Sequence, residues 1–579
     1  MSRRIRILAV SIGAAAFFFF GLTTQAGAGG LSDTVLLPDG SQRTTYRIGP
    51  LNITSGQNRI SYKPIFGIEK PSVNGWITRI VPNLVNEDGS VPSSSRVMFH
   101  HGVWINQSAP NGSQLFFATG EEKTNVDLPD GYGLPYRASD LWVLNHMIHN
   151  LVPDPMTLYV TYTIDFIPAN SAAATGIKLV KPLWMDVESG NYPVFDVLKD
   201  SGGSDGKFTY PQDAINPYPG GRKKNEKQIT EAGVLVSTTG HVHTGGLSTN
   251  LYLKREGASY SGPECSAPRD FTGQLRGLEA RRANLASSLR SLRKKTDRSN
   301  PAQERRYRAV LRRLNKVRGM AADANRSYRA CLASQPNVNG NRVHLFDSKA
   351  RYFNDTGPVS WDMAMYSTRE DWRVSVEVGD TLELQTTYET EIASWYESMG
   401  INVTYMAPND VGNDPFETRV DYKGVLNHGH YAENNDHGGK APLVGPDPRT
   451  LPDGLLSGGP FQIGGYSYEA GDFRLPGSLG LPPVVKSGES FTFELAAGDA
   501  SQEIWHSVTS CEAPCNRSTG ISYPIPDGEI QFDSGQLGTG GEPTVGRNTW
   551  STPTDLPVGT HTFFCRIHPL MRGAIRVKP

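Results

Sequence analysis

Apolar and polar residues alternate along much of this chain, and most of the alternating runs are short. The stretches Leu158 to Ile164 and Phe491 to Leu495 alternate, and β-branched and aromatic residues fill Trp76 to Val81. A two-residue period is typical of strands with one buried face. The pattern predicts an all-β protein with β regions at about 29–195, 196–420 and 478–579.

One segment, residues 264–332, has a helical period instead. A break at Ser299-Asn300-Pro301 is typical of a helix N-cap followed by proline at the first helical position. We therefore expect an inserted antiparallel helical hairpin, closed at its base by a Cys265–Cys331 disulfide. Arginine and lysine crowd it, so it can bind an acidic partner or polyanion, or it is a solvated arm kept soluble by its charge. Its apolar stripes consist of Leu275, Leu278, Leu285, Leu289, Leu292, Val310, Leu314 and Val317.

Composition agrees with several β domains joined by loops. The chain has 579 residues, too many for one core, and contains 61 glycines and 40 prolines. The net charge of −1 gives no overall attraction to nucleic acid or to an anionic membrane. Residues 421–477 are rich in Gly, Pro and His and are predicted to be a linker.

The N-terminus has the features of a secretory signal. A basic start is followed by an apolar stretch and by Gln25-Ala26-Gly27-Ala28, so we expect cleavage after Ala28 and an exported protein with no transmembrane segment in its mature form. Cysteine use fits an oxidising compartment, because Cys511 and Cys515 can form a second disulfide. Cys565 is left without a cysteine partner in this scheme.

The C-terminal region carries a set of soft metal donors. Cys565, His568 and Met571 are spaced as Cys-x2-His-x2-Met, and His506 lies upstream in His-Ser-Val-Thr. One thiolate, two imidazoles and a thioether are the donors of a blue-copper centre. The spacing resembles that of the cupredoxins, amicyanin most closely. By that resemblance the region is a Greek-key β-sandwich in which His506, Cys565 and His568 are equatorial copper ligands and Met571 is the axial ligand.

Histidines recur in the two preceding β regions. His241 and His243 are two residues apart after the apolar run Gly233 to Val236, so both can point to one face of a strand. They can equally be exposed strand residues beside a turn. The adjacent residues His100 and His101 would point to opposite faces of a regular strand, so they can share a metal only at a bulge or turn. Two further histidines, at 146 and 149, lie on another predicted strand.

The order of these residues resembles that of the copper monooxygenases, peptidylglycine α-hydroxylating monooxygenase and dopamine β-monooxygenase. The resemblance implies two jelly-roll-like β-sandwich domains, an electron-storing copper and an oxygen-activating copper. The storage copper would be held by His100, His101 and His149, with His146 as the alternative to His149. The oxygen-activating copper would be held by the catalytic residues His241, His243 and Met399, with Met406 as the alternative to Met399.

The donor types favour copper, and the departures from that family concern the substrate. A thioether beside two imidazoles favours Cu(I) over zinc, whereas three imidazoles suit either metal. The animal enzymes are rich in disulfides and anchor a peptide with an arginine and polar residues, but this chain has Thr239, Ile401 and Val403 at the corresponding places. The substrate implied is small and neutral or apolar.

The combination leads to a functional hypothesis. We expect a secreted copper monooxygenase that hydroxylates a C–H bond with dioxygen and receives electrons from an external donor through its blue-copper domain. One alternative is a multicopper oxidase or nitrite reductase, whose His-Cys-His sequence is absent because Phe564 and Arg566 flank Cys565. Another is a copper electron carrier without oxygenase activity. The loop histidines 428, 430 and 437 can hold a metal or stabilise the loop.

Overall fold

The computed structural model describes most of the chain after the first 33 residues, including all three predicted β regions. The described residues are 34–54, 64–94, 96–189, 194–214, 222–259, 265–295, 300–353, 361, 363–429, 445–456, 458–502, 504–515, 529–538, 547–568 and 570–579. The predicted signal peptide therefore lies outside them. The fold is all-β with a helical insertion, as the sequence predicted.

Two sheets form the first β unit, which comprises the strands between residues 35 and 179. One sheet is seven-stranded, with the order β1-β2-β10-β4-β8-β11 and β7 beside β4; the other has the order β3-β9-β5-β6. In β10 a period of two places Leu158, Val160, Tyr162 and Ile164 in the core. The strands are β1 (Val35–Leu36), β2 (Gln42–Ile53), β3 (Ile65–Phe66), β4 (Gly75–Val85), β5 (Val97–Asn106), β6 (Gln114–Thr119), β7 (Val126–Asp127), β8 (Tyr132–Tyr136), β9 (Trp142–Asn150), β10 (Met156–Pro168) and β11 (Lys178–Leu179).

The second β unit, residues 181–427, is built on one large sheet with the order β12-β26-β18-β22-β21-β19-β24-β15. Strands β17, β20, β23 and β27 pair with β24, β21, β18 and β22 of this sheet, and β13–β16 and β14–β25 form separate pairs. The strands are β12 (Lys181–Asp186), β13 (Glu188–Ser189), β14 (Phe195–Val197), β15 (Lys207–Tyr210), β16 (Arg222–Lys223), β17 (Glu226–Gln228), β18 (Gly233–Val242), β19 (Gly246–Lys254), β20 (Val338–Asn339), β21 (Arg342–Tyr352), β22 (Met363–Ser367), β23 (Val374–Val376), β24 (Thr381–Glu389), β25 (Trp395–Ser398), β26 (Gly400–Pro408) and β27 (Val425–Asn427).

The two units share a core. Val234 and Val236 of β18 and Ile401, Val403 and Tyr405 of β26 pack in the same buried cluster as the first unit's apolar residues. The sheet of the second unit therefore lies against the first unit, and this contact brings the histidine-bearing ends of β5, β9 and β18 together.

The predicted hairpin is present between β19 and β20. It consists of α1 (Thr272–Lys295) and α2 (Pro301–Ser334), and the Asn300 side chain caps α2 by accepting from the Ala302 and Gln303 N–H groups. Cys265 and Cys331 form the predicted disulfide at its base. Leu289, Val310, Leu314 and Val317 of the predicted apolar stripes are buried. The acidic partner of this hairpin stays a prediction.

The terminal unit, residues 461–578, has two four-stranded sheets, ordered β29-β28-β31-β33 and β30-β35-β34-β32. It begins earlier than predicted, because β28 and β29 lie within the stretch assigned to the linker yet pair with each other, and β28 also pairs with β31. Glycines around these short strands hide them in the sequence. The elements are β28 (Phe461–Gly464), β29 (Ser467–Tyr468), β30 (Val484–Lys486), β31 (Thr492–Leu495), α3 (Ala497–Gln502), β32 (Thr509–Cys511), β33 (Thr549–Ser551), β34 (Gly559–Phe564) and β35 (Arg572–Lys578), and short 3-10 turns occur at Ala172–Ala174, Pro448–Thr450 and Gly477–Gly480.

Two further findings bear on the predicted compartment. Cys511 and Cys515 form the second predicted disulfide, and Cys565 is a buried free thiol. Two disulfides are compatible with export to an oxidising space. Among the described helices, none is both long and apolar enough to cross a membrane.

Candidate metal centres

The adjacent histidines of β5 lie at a strand irregularity. The register of β5 with β9 shifts between Phe99 and His101, so His100 occupies a bulge. A bulge lets neighbouring side chains point to the same side. The Nδ1 atoms of His100 and His101 are 3.0 Å apart. The bulge that His100 and His101 need in order to share a metal is therefore present.

A histidine of the second unit completes the group. His243 follows the end of β18, and its Nε2 lies 3.0 Å from Nε2 of His101. One ring nitrogen from each of His100, His101 and His243 falls within 4.8 Å of the others, and all three residues are buried. We call these three residues the imidazole cluster.

Local chemistry prepares these imidazoles to bind a metal. Nδ1–H of His243 donates to the carbonyl oxygen of Glu397, which leaves the Nε2 lone pair directed at the cluster. Burial and the neighbouring imidazoles hold the pKa of His100, His101 and His243 well below the usual range. The rings are therefore neutral at neutral pH, which is the form that coordinates a metal.

The imidazole cluster combines histidines that were predicted to belong to two separate copper sites. His149, predicted as a ligand with the doublet, stacks on His100 with ring centroids 4.4 Å apart. His241 lies outside the group, with its ring 5.1 Å from that of His243 and 5.4 Å from that of His101. The predicted grouping differs from the structure because the shared core packs β18 against β5 and β9. Histidines that were assigned to the two predicted sites therefore lie close together.

The alternative histidine at 146 is also buried. His146 lies in β9, opposite Gly102 of β5. Burial lowers the pKa of His146 to about 4. Its ring makes no contact with the imidazole cluster among the aromatic contacts of the described residues. The structure thus places His149 closer to the cluster than His146.

Met399 lies beside His243. Extending the β18–β26 register, in which Val242 faces Gly400, places Met399 opposite His243. The Tyr388 hydroxyl accepts from the N–H groups of both residues, at 3.1 and 3.0 Å. Met399 packs in the shared core, whereas the alternative Met406 packs in the second unit's own core on the other side of the sheet. Of the two methionines, Met399 is on the face that carries the histidines.

The residues present fit a transition metal. Nδ1 of His241 contacts Oε1 of Glu122 at 2.9 Å, and its buried Nε2 has no hydrogen-bond partner among the described residues. A ring nitrogen held by a carboxylate while the other stays open is the usual arrangement of a metal-binding histidine. Neutral imidazoles with a thioether nearby suit copper.

The second donor group lies in the terminal unit. His506, Cys565 and His568 form a buried group, with Sγ of Cys565 3.9 Å from Nδ1 of each histidine. The Nδ1 atoms of the two histidines are 3.2 Å apart. The N–H groups of Ser507 and His568 donate to the sulfur, each at 3.3 Å. These are hydrogen bonds that stabilise a thiolate.

Met571 packs in the same core as Cys565, and Asp499 contacts His506. Met571 is fully buried, and its N–H donates to the His568 carbonyl. Burial opposes charge on His506, but its 2.8 Å contact with Asp499 and its proximity to Cys565 raise its pKa to about 9. Burial likewise opposes a thiolate, yet His506 and the two N–H donors lower the pKa of Cys565. The thiolate is the form that binds copper.

A small cavity lies beside the imidazole cluster. Its lining consists of His100, His243, Thr244, Trp361, Trp395, Tyr396, Glu397 and Arg566. Arg566 directly follows Cys565, so the cavity reaches from two histidines of the cluster to the residue next to the terminal donor group.

Sequence reasoning missed several of these neighbours. Glu122 contacts His241, which is 119 residues away in sequence, and Asp499 contacts His506, which is seven residues away. Trp361 contacts the rings of His100 and His243 at 4.8 and 4.7 Å. The one available signal was the run Glu121-Glu122-Lys123, whose charges suggest a surface loop but are buried.

The loop histidines fall partly outside the described residues. The ring of His428 contacts Phe353 with centroids 5.0 Å apart. Histidines 430 and 437 lie outside the described ranges, so a metal role for this loop stays a prediction.

Comparisons with known proteins do not assign this chain to a family. No protein-family model matches the chain, and no curated protein matches it. One similar solved structure is the Cu-containing nitrite reductase (NirK) from Thermus scotoductus SA-01, with 13% identity over 34% of this chain and 49% of that chain, at a TM-score of 0.13. This chain thus spans about half the length of that structure, and a likeness at this score carries no argument about function.

Proposed function

We propose that this protein is a copper-dependent monooxygenase that hydroxylates a C–H bond and carries its own electron-delivering copper domain. The observation that carries the proposal is the cavity shared by His243 and Arg566. His100 and His243 of the imidazole cluster line this cavity together with the residue after Cys565, although the two donor groups lie in different β units.

The reaction requires electrons from outside the substrate. Dioxygen, two electrons and two protons convert a C–H bond into C–OH and release the second oxygen atom as water. A reductant, either a small molecule or an electron-carrier protein, supplies the electrons to the terminal unit. Copper contributes one-electron redox chemistry and oxygen binding, and the protein positions donors and excludes water.

The contacts of Arg566 support a route between the groups. Its Nη1 donates to the carbonyl oxygen of Ser394 at 2.8 Å, and its guanidinium lies 5.2 Å from the ring centroid of Trp395. Glu397, two residues after Trp395, accepts the hydrogen bond from His243. A short path of covalent and hydrogen bonds thus runs from Cys565 to the imidazole cluster.

Trp361 provides a second contact between the units. Its ring touches His100 and His243, and it belongs to the same buried core as Cys565 and Met571. An aromatic side chain that packs against both groups keeps them close and excludes water between them.

The residues next to the cluster favour a neutral or apolar substrate. Ile401 and Val403 are buried on the sheet face that carries His241, and Thr239 bonds its hydroxyl to Ser367 at 2.6 Å. None of these three side chains carries a positive charge that could form an ion pair with a carboxylate. Ile401 and Val403 pack in the core shared by the first two units, so they support a neutral or apolar substrate only by supplying no cationic anchor at these positions.

The test is rapid reduction of the blue copper followed by its reoxidation in oxygen. We expect reoxidation to be faster in the fully copper-loaded protein than in a His100→Ala, His101→Ala variant that lacks the imidazole cluster. Equal rates would contradict the relay. Oxygen uptake with equimolar hydroxylated product would establish the monooxygenase, and electron transfer without product would leave an electron carrier.

A nitrite-reducing or oxidase function is the second candidate. The convergence of three imidazoles, rather than two imidazoles and a thioether, within 4.8 Å favours it. Nitrite consumption, or oxygen reduced fully to water without a hydroxylated product, would support this alternative.

A further inference from the structure

A buried, charged loop after β6 contacts β5 and β18, two of the strands that carry the histidines. Glu121, Glu122 and Lys123 follow β6 and are only 3%, 0% and 2% exposed. Burying consecutive charges is costly unless each is held by specific partners. Such a loop beside a donor cluster therefore calls for a functional explanation.

Each carboxylate of this loop holds a different histidine strand. Oε2 of Glu121 accepts from the N–H of Phe99 at 2.7 Å, directly before the histidine doublet. Oε1 of Glu122 lies 2.9 Å from Nδ1 of His241 and accepts from the Gly120 N–H at 3.0 Å. Adjacent residues thus fix the doublet of the first unit and a histidine of the second unit.

We propose that Glu122 is a positioning residue that fixes the ring and tautomer of His241 so that its Nε2 is presented as a metal ligand. The Nδ1–H of His241 then donates to Glu122, and the Nε2 lone pair stays available. The buried Nε2 has no hydrogen-bond partner among the described residues. The inference rests on the copper binding in the proposed function, but not on oxygenase activity.

The geometry around the loop leaves little freedom for another arrangement. A Cβ added at Gly120 would lie 2.7 Å from Oε2 of Glu122 and 2.9 Å from Cε1 of His241. The loop backbone therefore passes against the pair, and a glycine is needed for this close approach. The His241 ring is held between the loop and β18.

The experiment measures copper affinity of the full chain by competition with a chelator, together with the spin-resonance spectrum of the histidine-bound copper. We expect Glu122→Gln to weaken binding at this site about 10–100-fold and to change its spectrum, as loss of a partner of a metal-bound histidine does. The blue-copper absorption should be unchanged. Glu383→Gln is the matched control, because Glu383 is a buried carboxylate of the second unit paired with Arg342 instead.

A double variant separates positioning from a general structural effect. If Glu122 acts through His241, adding Glu122→Gln to His241→Ala should cause no further loss of affinity. Additive losses, or wild-type affinity and spectrum in Glu122→Gln, would overturn the inference. Should Glu122→Gln fail to fold, Glu122→Asp provides the same comparison with the charge retained. Coupling in a protein without hydroxylase activity would support this inference while contradicting the monooxygenase.

Discussion

Arg566 donates a hydrogen bond from Nη1 to the carbonyl oxygen of Ser394, 2.8 Å away, and Ser394 directly precedes β25, whose Glu397 carbonyl accepts from His243. The same atom lies 3.2 Å from Oδ2 of Asp533. The guanidinium is buried, so these bonds are not exchanged for water at low cost. The contact joins the terminal unit to the second β unit beside the imidazole cluster.

Replacing Arg566 with methionine should slow electron transfer without removing the blue copper. Loss of a hydrogen bond made by a charged group costs about 1.5–3 kcal/mol, which corresponds to roughly a tenfold or greater loss of the docked arrangement. We expect reoxidation of the reduced blue site to slow by about that factor. Arg576→Met is the control, because Arg576 pairs with Asp453, in the segment just before the terminal unit, and not with the second β unit. An equal effect of both variants would contradict a specific role for Arg566.

Met399→Ile should abolish hydroxylation and leave the blue colour intact. The exchange keeps an apolar side chain of similar volume, so the structural cost should stay below about 1.5 kcal/mol, while the thioether is removed. Product formation and blue absorption are measured on the same sample. Met406→Ile is the control, because Met406 faces the other core. Turnover retained in Met399→Ile would exclude its sulfur as a ligand.

The histidines should differ in how strongly they contribute to metal binding, according to whether they belong to the imidazole cluster. His101→Ala removes the ring whose Nδ1 lies 3.0 Å from Nδ1 of His100 and whose Nε2 lies 3.0 Å from Nε2 of His243, so copper affinity should fall by more than about tenfold. His149→Ala should have a smaller effect, because its ring stacks on His100 without belonging to the group. Copper content after dialysis against a chelator gives the order. A larger loss in His149→Ala would restore the predicted storage site.

The contact between the first two units should weaken in acid. Asp410, which follows β26, accepts from the Tyr132 hydroxyl at 2.6 Å and pairs with Lys178 at 2.8 Å. Burial opposes its ionisation, yet the hydrogen bonds from Lys178 and Tyr132 lower the pKa of Asp410 below its usual value. A lowered folded-state pKa means that the stabilisation is present above the unfolded-state pKa and is lost as the pH falls through the folded-state value.

Asp410→Asn tests this dependence. At pH 7 the variant should unfold more easily by about 1 kcal/mol, and the difference from the wild type should shrink below about pH 4. Denaturant midpoints at pH 7 and pH 3 provide the comparison. Asp371→Asn, at an exposed pair with Arg369, should show little difference at either pH. A difference for Asp410→Asn that is independent of pH would show that shape, rather than charge, stabilises this contact.

The sequence by itself determined the features that depend on neighbouring residues. Alternation predicted strands such as β10, the Asn300-Pro301 pair predicted the start of α2, and Cys-x2-His placed Cys565 and His568 in one turn. A strand period, a helix cap and a tight turn are set by local sterics and hydrogen bonding, so a few adjacent residues suffice to define them.

Only the tertiary structure decided which histidines share a site. His101 and His243 are 142 residues apart in sequence and meet because the apolar faces of β18 and β26 pack into the first unit's core. Glu122 and His241 are likewise separated by 119 residues. Burial of apolar area is not directional, so the sequence indicates that these faces are covered but not against which partner. The packing of the two units fixes that partner, and with it the membership of the imidazole cluster.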